Sequence, residues 1–256
     1  MKKPMILLLF LIALMVATFL VIGKNGPVSS SEEPPDQETP GVEETVEPSP
    51  QEILREAVRE DWEKGFLILV NKEQGLAEEY VPADLAEIKY YAKDRSPQWR
   101  KMRQEAAEAF HALAEKAQEQ EMEIVVTTAY RSYDFQSDLY YGYVSSKGQK
   151  WADQYSAKPG TSEHQTGLAA DCSSPSVGYQ LTSAFGETAE GKWLAENAHE
   201  FGFIIRYPEG KEEVTGYNYE PWHIRYVGTV SAEQIYTKGI TLEEWLDELA
   251  LEIGEE

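Results

Sequence analysis

Cysteine is nearly absent from this chain: Cys172 is the single thiol in 256 residues. An intramolecular disulfide is excluded, so the fold must rest on a packed core even in an oxidising compartment. Basic residues are scarce as well, 23 Lys and Arg against 45 Asp and Glu, for a formal net charge of −22. Such an acidic surface repels phosphates, which argues against nucleic acid and against charge-driven binding to anionic lipid. Its ordinary consequence is solubility. Histidine is sparse too, at four, and no internal repeat is visible. The length suits one sizeable domain with extensions rather than two well-built domains.

A long apolar run occurs at the N-terminus. Lys2 and Lys3 precede a stretch from Met5 to Ile22 broken only by Thr18. At ~1.5 Å per residue it approaches the thickness of a bilayer's hydrocarbon core. It exceeds the ~7–15 residues of a usual signal-peptide apolar region, and neither a small-x-small cleavage site nor a lipoprotein cysteine follows. Residues 1–23 are therefore expected to be an uncleaved signal anchor. The paired lysines would stay cytoplasmic, making a single-pass protein of the cell membrane with its catalytic part extracellular. Residues 24–50 are rich in Pro, Glu, Ser and Thr and contain no aromatic residue, which predicts a disordered, self-repelling tether.

Residues 51–254 read as a single mixed domain. Ser96-Pro97 looks like a helix start, with Trp99, Met102, Ala106, Phe110, Leu113 and Ala117 recurring on one helical face. His111, beside that face, reads as structural or exposed. Phe66 to Val70 and Glu123 to Thr128 read as strands. Ser132 is placed to cap a helix carrying Phe135, Leu139, Tyr143 and Val144. Glu187 to Glu200 should be helical with Trp193, Leu194 and Ala198 inward, and Phe203 to Tyr207 a strand. Ser231 with Gln234 and Thr241 with Glu244 match the capping-box spacing. Strands and helices mix without a βαβ rhythm, so the expected class is α+β, a mostly antiparallel central sheet flanked by helices.

Two stretches concentrate the chemistry: Ser162 to Asp171 and Glu220 to His223. In a short strand from Leu168 to Cys172, Leu168, Ala170 and Cys172 would share the core side while Asp171 points away from it. Gly167 lets the chain turn between Asp171 and His164. Pro221 forces Glu220 into extended backbone, and in the strand that follows His223 and Arg225 face away from Trp222, Ile224 and Tyr226. His164, Asp171 and His223 then make a His₂Asp set, whose count leaves a zinc ion one open position. Nitrogen and oxygen donors without thiolate favour zinc over softer metals. Glu220 would reach a water on that metal without being a ligand, while Cys172 reads as core. By spacing alone, hydrogen-bonded core histidines remain the competing reading.

Taken together these residues resemble the VanY-type D-alanyl-D-alanine carboxypeptidases, within a wider group that includes VanX-like dipeptidases, lysostaphin-type endopeptidases and hedgehog domains. The pattern Ser-x-His-x-x-Gly-x-Ala-x-Asp is present as Ser162 to Asp171, and Glu-x-Trp-His as Glu220 to His223. Ala129 to Gln136 looks like the family's arginine-bearing strand-to-helix turn. The resemblance covers roughly Leu67 to Leu246. It implies a hedgehog/DD-peptidase-like fold with one zinc ion held by His164, Asp171 and His223, and with Glu220 as general base. Arg131 would stabilise the oxyanion or hold the substrate's carboxylate, with Gln136 and Ser162 as further substrate contacts and His199 structural. The implied activity is removal of the terminal D-alanine from peptidoglycan stem peptides by a monomer. L,D-cleavage of tetrapeptide stems, cross-bridge endopeptidase action and a non-catalytic zinc module are the alternatives.

Overall fold

In the computed structural model, Ser49 opens helix α1 (Pro50–Glu63) with a capping box: its hydroxyl accepts the Glu52 amide while the Glu52 carboxylate accepts its own. The structure describes residues 48–93 and 95–254, within a compact unit that runs from Glu47 to Glu256. Strands β1 (Leu85–Glu87) and β2 (Lys101–Arg103) form an antiparallel pair, and helix α2 (Gln104–Gln118) follows β2 directly. Strand β3 (Val125–Thr128) leads through a turn into helices α3 (Tyr133–Lys147) and α4 (Gln149–Tyr155). After a 3-10 turn at Glu163–Thr166 come β4 (Ala169–Ser173), α5 (Ala189–Asn197), β5 (Phe203–Ile205), α6 (Glu212–Thr215) and β6 (His223–Tyr226). Helices α7 (Thr229–Lys238) and α8 (Leu242–Gly254) close the described chain.

The larger sheet has the order β3-β4-β6-β5 with every pairing antiparallel, so the expected α+β architecture is what the chain forms. Its inner face carries Val126, Leu168, Ala170, Cys172, Phe203, Ile224 and Tyr226, which join Ala106, Phe110 and Leu113 of α2 and Trp193 and Leu194 of α5 in one buried cluster. A second cluster gathers Val58 of α1, Ile235 of α7 and Trp245 of α8 around Leu67, Ile204 and Val227. Period-two alternation sends Asp171 and His223 to the other face of the sheet, away from this oil.

Several local expectations are corrected. The apolar period from Trp99 to Ala117 does not make one helix. Pro97–Trp99 is a single 3-10 turn, Met102 sits in the middle of β2, and α2 begins at Gln104. Pairing with β1 overrides the helical period there, and Met102 is still buried because alternate strand residues meet the core. Phe66 to Val70 forms no strand, although Phe66, Leu67 and Val70 are buried and Ile68 and Leu69 half-buried. The Phe66 and Ile68 carbonyls accept from Arg225 Nη2, at 2.9 and 2.6 Å, instead of from a neighbouring strand. Ser231 is no cap: Gly228 holds that position, and the Ser231 hydroxyl donates to Asp61. The Thr241–Glu244 capping box is present, as is the Ser132 cap of α3.

The expectation of a single-pass membrane protein is also corrected. Among the described residues no helix is long and apolar enough to cross a membrane. The run from Met5 to Ile22 and the segment to residue 47, which carried the anchor and most of the tether, lie outside the described residues.

Candidate metal centre

The register of two strands builds the site. Asp171 on β4 stands directly opposite His223 on β6, and cross-strand partners share a face and come within side-chain reach. Their contact is 3.1 Å between Asp171 Oδ1 and His223 Nδ1. Beside them Ala169 faces Arg225, and the small residue leaves room for the large one. On its other edge β4 meets a bulge: Val126 pairs with Cys172 and Thr128 with Asp171, so Thr127 is the extra residue. Its hydroxyl donates to the Asp171 carbonyl at 3.1 Å. A bulge bends and twists a strand locally, here right beside Asp171.

His164 arrives from the 3-10 turn before β4. Gly167 ends that turn at φ +70°, a conformation that favours glycine, and a Cβ there would also press against the side chains of Leu85, Arg103 and Pro82. The His164 Nδ1–H donates to the Ala129 carbonyl at 2.7 Å, which leaves Nε2 unprotonated and aimed at Asp171 Oδ2, 3.4 Å away. Burial and the nearby Arg131 guanidinium push its pKa down to about 4, so the ring is neutral. His223 behaves oppositely. Burial alone would lower it, but the adjoining carboxylates of Asp171 and Glu163 raise it to about 9. Burial opposes ionisation of Asp171, yet the protonated His223 beside it holds the carboxyl well below its usual range.

One donor atom from each of His164, Asp171 and His223 lies within 4.8 Å of the others. Asp171 meets His223 Nδ1 through Oδ1 at 3.1 Å and His164 Nε2 through Oδ2 at 3.4 Å, so its carboxylate stands between the two imidazole nitrogens, at spacings comparable to the ~3.3 Å between donors on a zinc ion with ~2.0–2.1 Å bonds. His164 Nε2 is buried and makes no hydrogen bond, as suits a lone pair meant for a cation. The residues fit zinc.

Comparison with known proteins agrees. The family model for VanY, D-alanyl-D-alanine carboxypeptidase, matches residues 99–229. The chain belongs to this family. Putative carboxypeptidase YodJ of Bacillus subtilis (strain 168) is 44% identical over 188 residues, covering 73% of this chain and 68% of the relative. Among solved structures, the LdcB LD-carboxypeptidase superposes with TM-score 0.69 at 45% identity, covering 71% of this chain and 86% of its own. A mutant of the vancomycin-resistance D,D-pentapeptidase VanY, in complex with Zn(II), superposes with TM-score 0.57 at 32% identity over 70% of this chain and 98% of its own.

Around the three donors of this VanY-family chain sit the other residues singled out by sequence. Glu220 Oε2 lies 3.8 Å from His223 Nδ1, and burial raises its carboxyl to about 7. Arg131 Nη2 is 3.9 Å from Asp171 Oδ2, and its buried Nε has no hydrogen bond. Gln136 is engaged at both ends, accepting from Arg131 Nη1 at 3.1 Å and donating to the Ala157 carbonyl at 2.7 Å. Its position braces Arg131. Ser162 is buried at the head of the 3-10 turn without a side-chain cap bond. His199 stacks on Tyr236 and His111 accepts the Lys89 amide, so both are structural.

Sequence reasoning passed over a buried charged group behind His223. Glu163 Oε1 accepts from Arg206 Nε and Arg225 Nη1, each at 2.7 Å, and Glu163 Oε2 is 3.5 Å from His223 Nε2. Burial alone would raise the Glu163 carboxyl, but the two guanidinium groups hold it well below its usual range. Arg206 also makes a two-point contact with Glu243 of α8, at 2.9 and 2.6 Å. The available signal was Arg225 itself, two residues from His223 on the same strand face and in need of a buried anion.

Proposed function

We propose that this chain is a zinc-dependent carboxypeptidase that releases the terminal D-alanine from peptidoglycan stem peptides. His164, Asp171 and His223 would hold one ion, with Glu220 as general base and Arg131 as the anion-binding group. The observation that carries this reading is the pairing of a raised carboxyl and a buried guanidinium beside one His₂Asp cluster. A purely structural metal site needs neither.

Zinc bound there polarises a carbonyl and lowers the pKa of a water to ~7. The Glu220 carboxylate then accepts a proton from the attacking water and hands it to the departing amine nitrogen. A carboxyl near 7 exchanges protons in both directions at neutral pH. Arg131, braced by Gln136, presents free N–H groups to the substrate's terminal carboxylate or to the developing oxyanion. Ser162 is proposed as a further substrate contact.

Two specificities fit this chemistry. Release from pentapeptide stems corresponds to the D,D-pentapeptidase likeness. Release from tetrapeptide stems is favoured by the higher identity, 45%, to an LD-carboxypeptidase. Defined tripeptide, tetrapeptide and pentapeptide stems, with products weighed by mass spectrometry, separate them. Loss of one D-alanine from the pentapeptide alone means D,D, and loss from the tetrapeptide means L,D. If all three substrates came through intact with zinc-loaded protein, the hydrolase reading would fall.

A further inference from the structure

We infer that Glu163 is a positioning residue that commits His223 to bind metal through Nδ1. The inference rests on the zinc reading above and adds a residue that reading does not use. An imidazole ligates through one nitrogen only if the proton sits on the other, and that proton needs an acceptor. His223 Nδ1 faces Asp171 Oδ1 and Glu220 at 3.1 and 3.8 Å, on the side where the donors converge. His223 Nε2 points the opposite way, 3.5 Å from Glu163 Oε2. Both atoms are fully buried and neither has another hydrogen bond. Each is therefore the partner the other needs, at a separation that closes to a normal hydrogen bond by a small ring movement.

The surroundings prepare Glu163 for this task. Both arginine contacts fall on Oε1, which leaves Oε2 free for the imidazole. Arg206 and Arg225 are themselves completely buried and anchored elsewhere, Arg206 on Glu243 of α8 and Arg225 on the Phe66 and Ile68 carbonyls. Two arginines and two glutamates balance in formal charge, so the cluster can persist inside the protein. The two histidines are thus held in opposite tautomers by different partners. The Ala129 carbonyl takes the Nδ1 proton of His164, and Glu163, its chain neighbour, takes the Nε2 proton of His223. One short 3-10 turn supplies a ligand and the support of the opposing ligand.

Full-length protein carrying Glu163→Gln tests this by competition titration of Zn(2+) against a chromophoric chelator. The amide cannot accept from both arginines and from His223 at once, so zinc affinity should fall about 10- to 100-fold. Affinity within twofold of wild type, even with a lowered melting temperature of the metal-free protein, would reduce Glu163 to a structural role and overturn the inference. A second measurement needs no variant. In zinc-loaded wild type, ¹⁵N NMR of the histidine side chains should show His223 metallated at Nδ1 and protonated at Nε2, with His164 reversed. Metallation of His223 at Nε2 would overturn it equally. His164→Ala separates this inference from the zinc reading: stoichiometric zinc in that variant removes the metal site itself, whereas its loss alongside normal affinity in Glu163→Gln sinks only the role of Glu163.

Discussion

Glu220 is the residue on which the proposed chemistry turns. Glu220→Gln keeps the size of the side chain and cannot take a proton, so turnover should fall ~10²–10⁴-fold while zinc stays bound. Measuring kcat and zinc content on one preparation checks this, and near-normal turnover at full metal would remove Glu220 from the mechanism. Its pH dependence follows from burial, which raises the carboxyl to about 7. The base is the deprotonated form, so kcat/KM should climb with pH and level off above that value. Bound zinc favours the carboxylate and draws the midpoint lower, so the acidic limb should lie at or below pH ~7. Arg131→Lys keeps the charge but loses the planar fork. Both substrate affinity and turnover should drop, again with metal retained, and steady-state kinetics would show an unchanged KM if Arg131 had no contact with substrate.

Among the elements, the start of α7 is a place where one substitution should do clear harm. Gly228 caps that helix at φ +86°, and a Cβ on it would fall inside the Asp61 carboxylate reaching over from α1. Gly228→Ala must strain the backbone and push Asp61 aside, at a cost of ~2–3 kcal/mol. For a domain of this size that lowers Tm by roughly 4–12 °C. Thermal melts of the two zinc-loaded proteins decide it, and a shift under about 1 °C would mean the α1–α7 contact relaxes freely. The proposed metal ligands and catalytic groups come from other elements, so the zinc content of the folded variant should match wild type. Helix α3 has a different role. Its Ser132 cap fixes the first turn, and Gln136 on that turn braces Arg131. A local hydrogen bond thereby sets the position of a proposed anion-binding group.

For the whole molecule, metal and protons compete for the same nitrogen. Without a cation, His223 keeps its proton up to about pH 9, while His164 has lost its own above about 4. Zinc must therefore expel one proton between those values. Apparent affinity should tighten by up to ~10-fold per pH unit from about 6 to 8, as competition titrations in a non-coordinating buffer would record. Affinity independent of pH over that range would show that His223 carries no proton for zinc to displace. Chelation should abolish activity, and zinc alone should restore it. Zinc at 100 times its Kd should add ~2.7 kcal/mol to the folded state, measurable as a rise in Tm.

Much of this was legible in the chain. Alternation along Leu168 to Cys172 places Asp171 on the face away from the core because a strand's period is local geometry, and the same logic orients His223. The caps at Ser132 and Thr241 are likewise short-range contacts written in neighbouring residues. What tertiary structure alone decided was register and company. Nothing in the local pattern sets Asp171 opposite His223, and nothing marks Phe66 to Val70 as a segment whose carbonyls serve Arg225 rather than a strand. The helical period through Trp99 and Met102 gave way to pairing with β1, since a strand partner distant in sequence outweighs a weak local preference. Glu163 was hidden for the same reason. A carboxylate in a turn looks solvated in sequence, and its partners Arg206, Arg225 and His223 lie 43 to 62 residues away. Sequence specifies which groups exist and which way local geometry turns them; the meeting of groups from separate elements in a place without water is settled by packing.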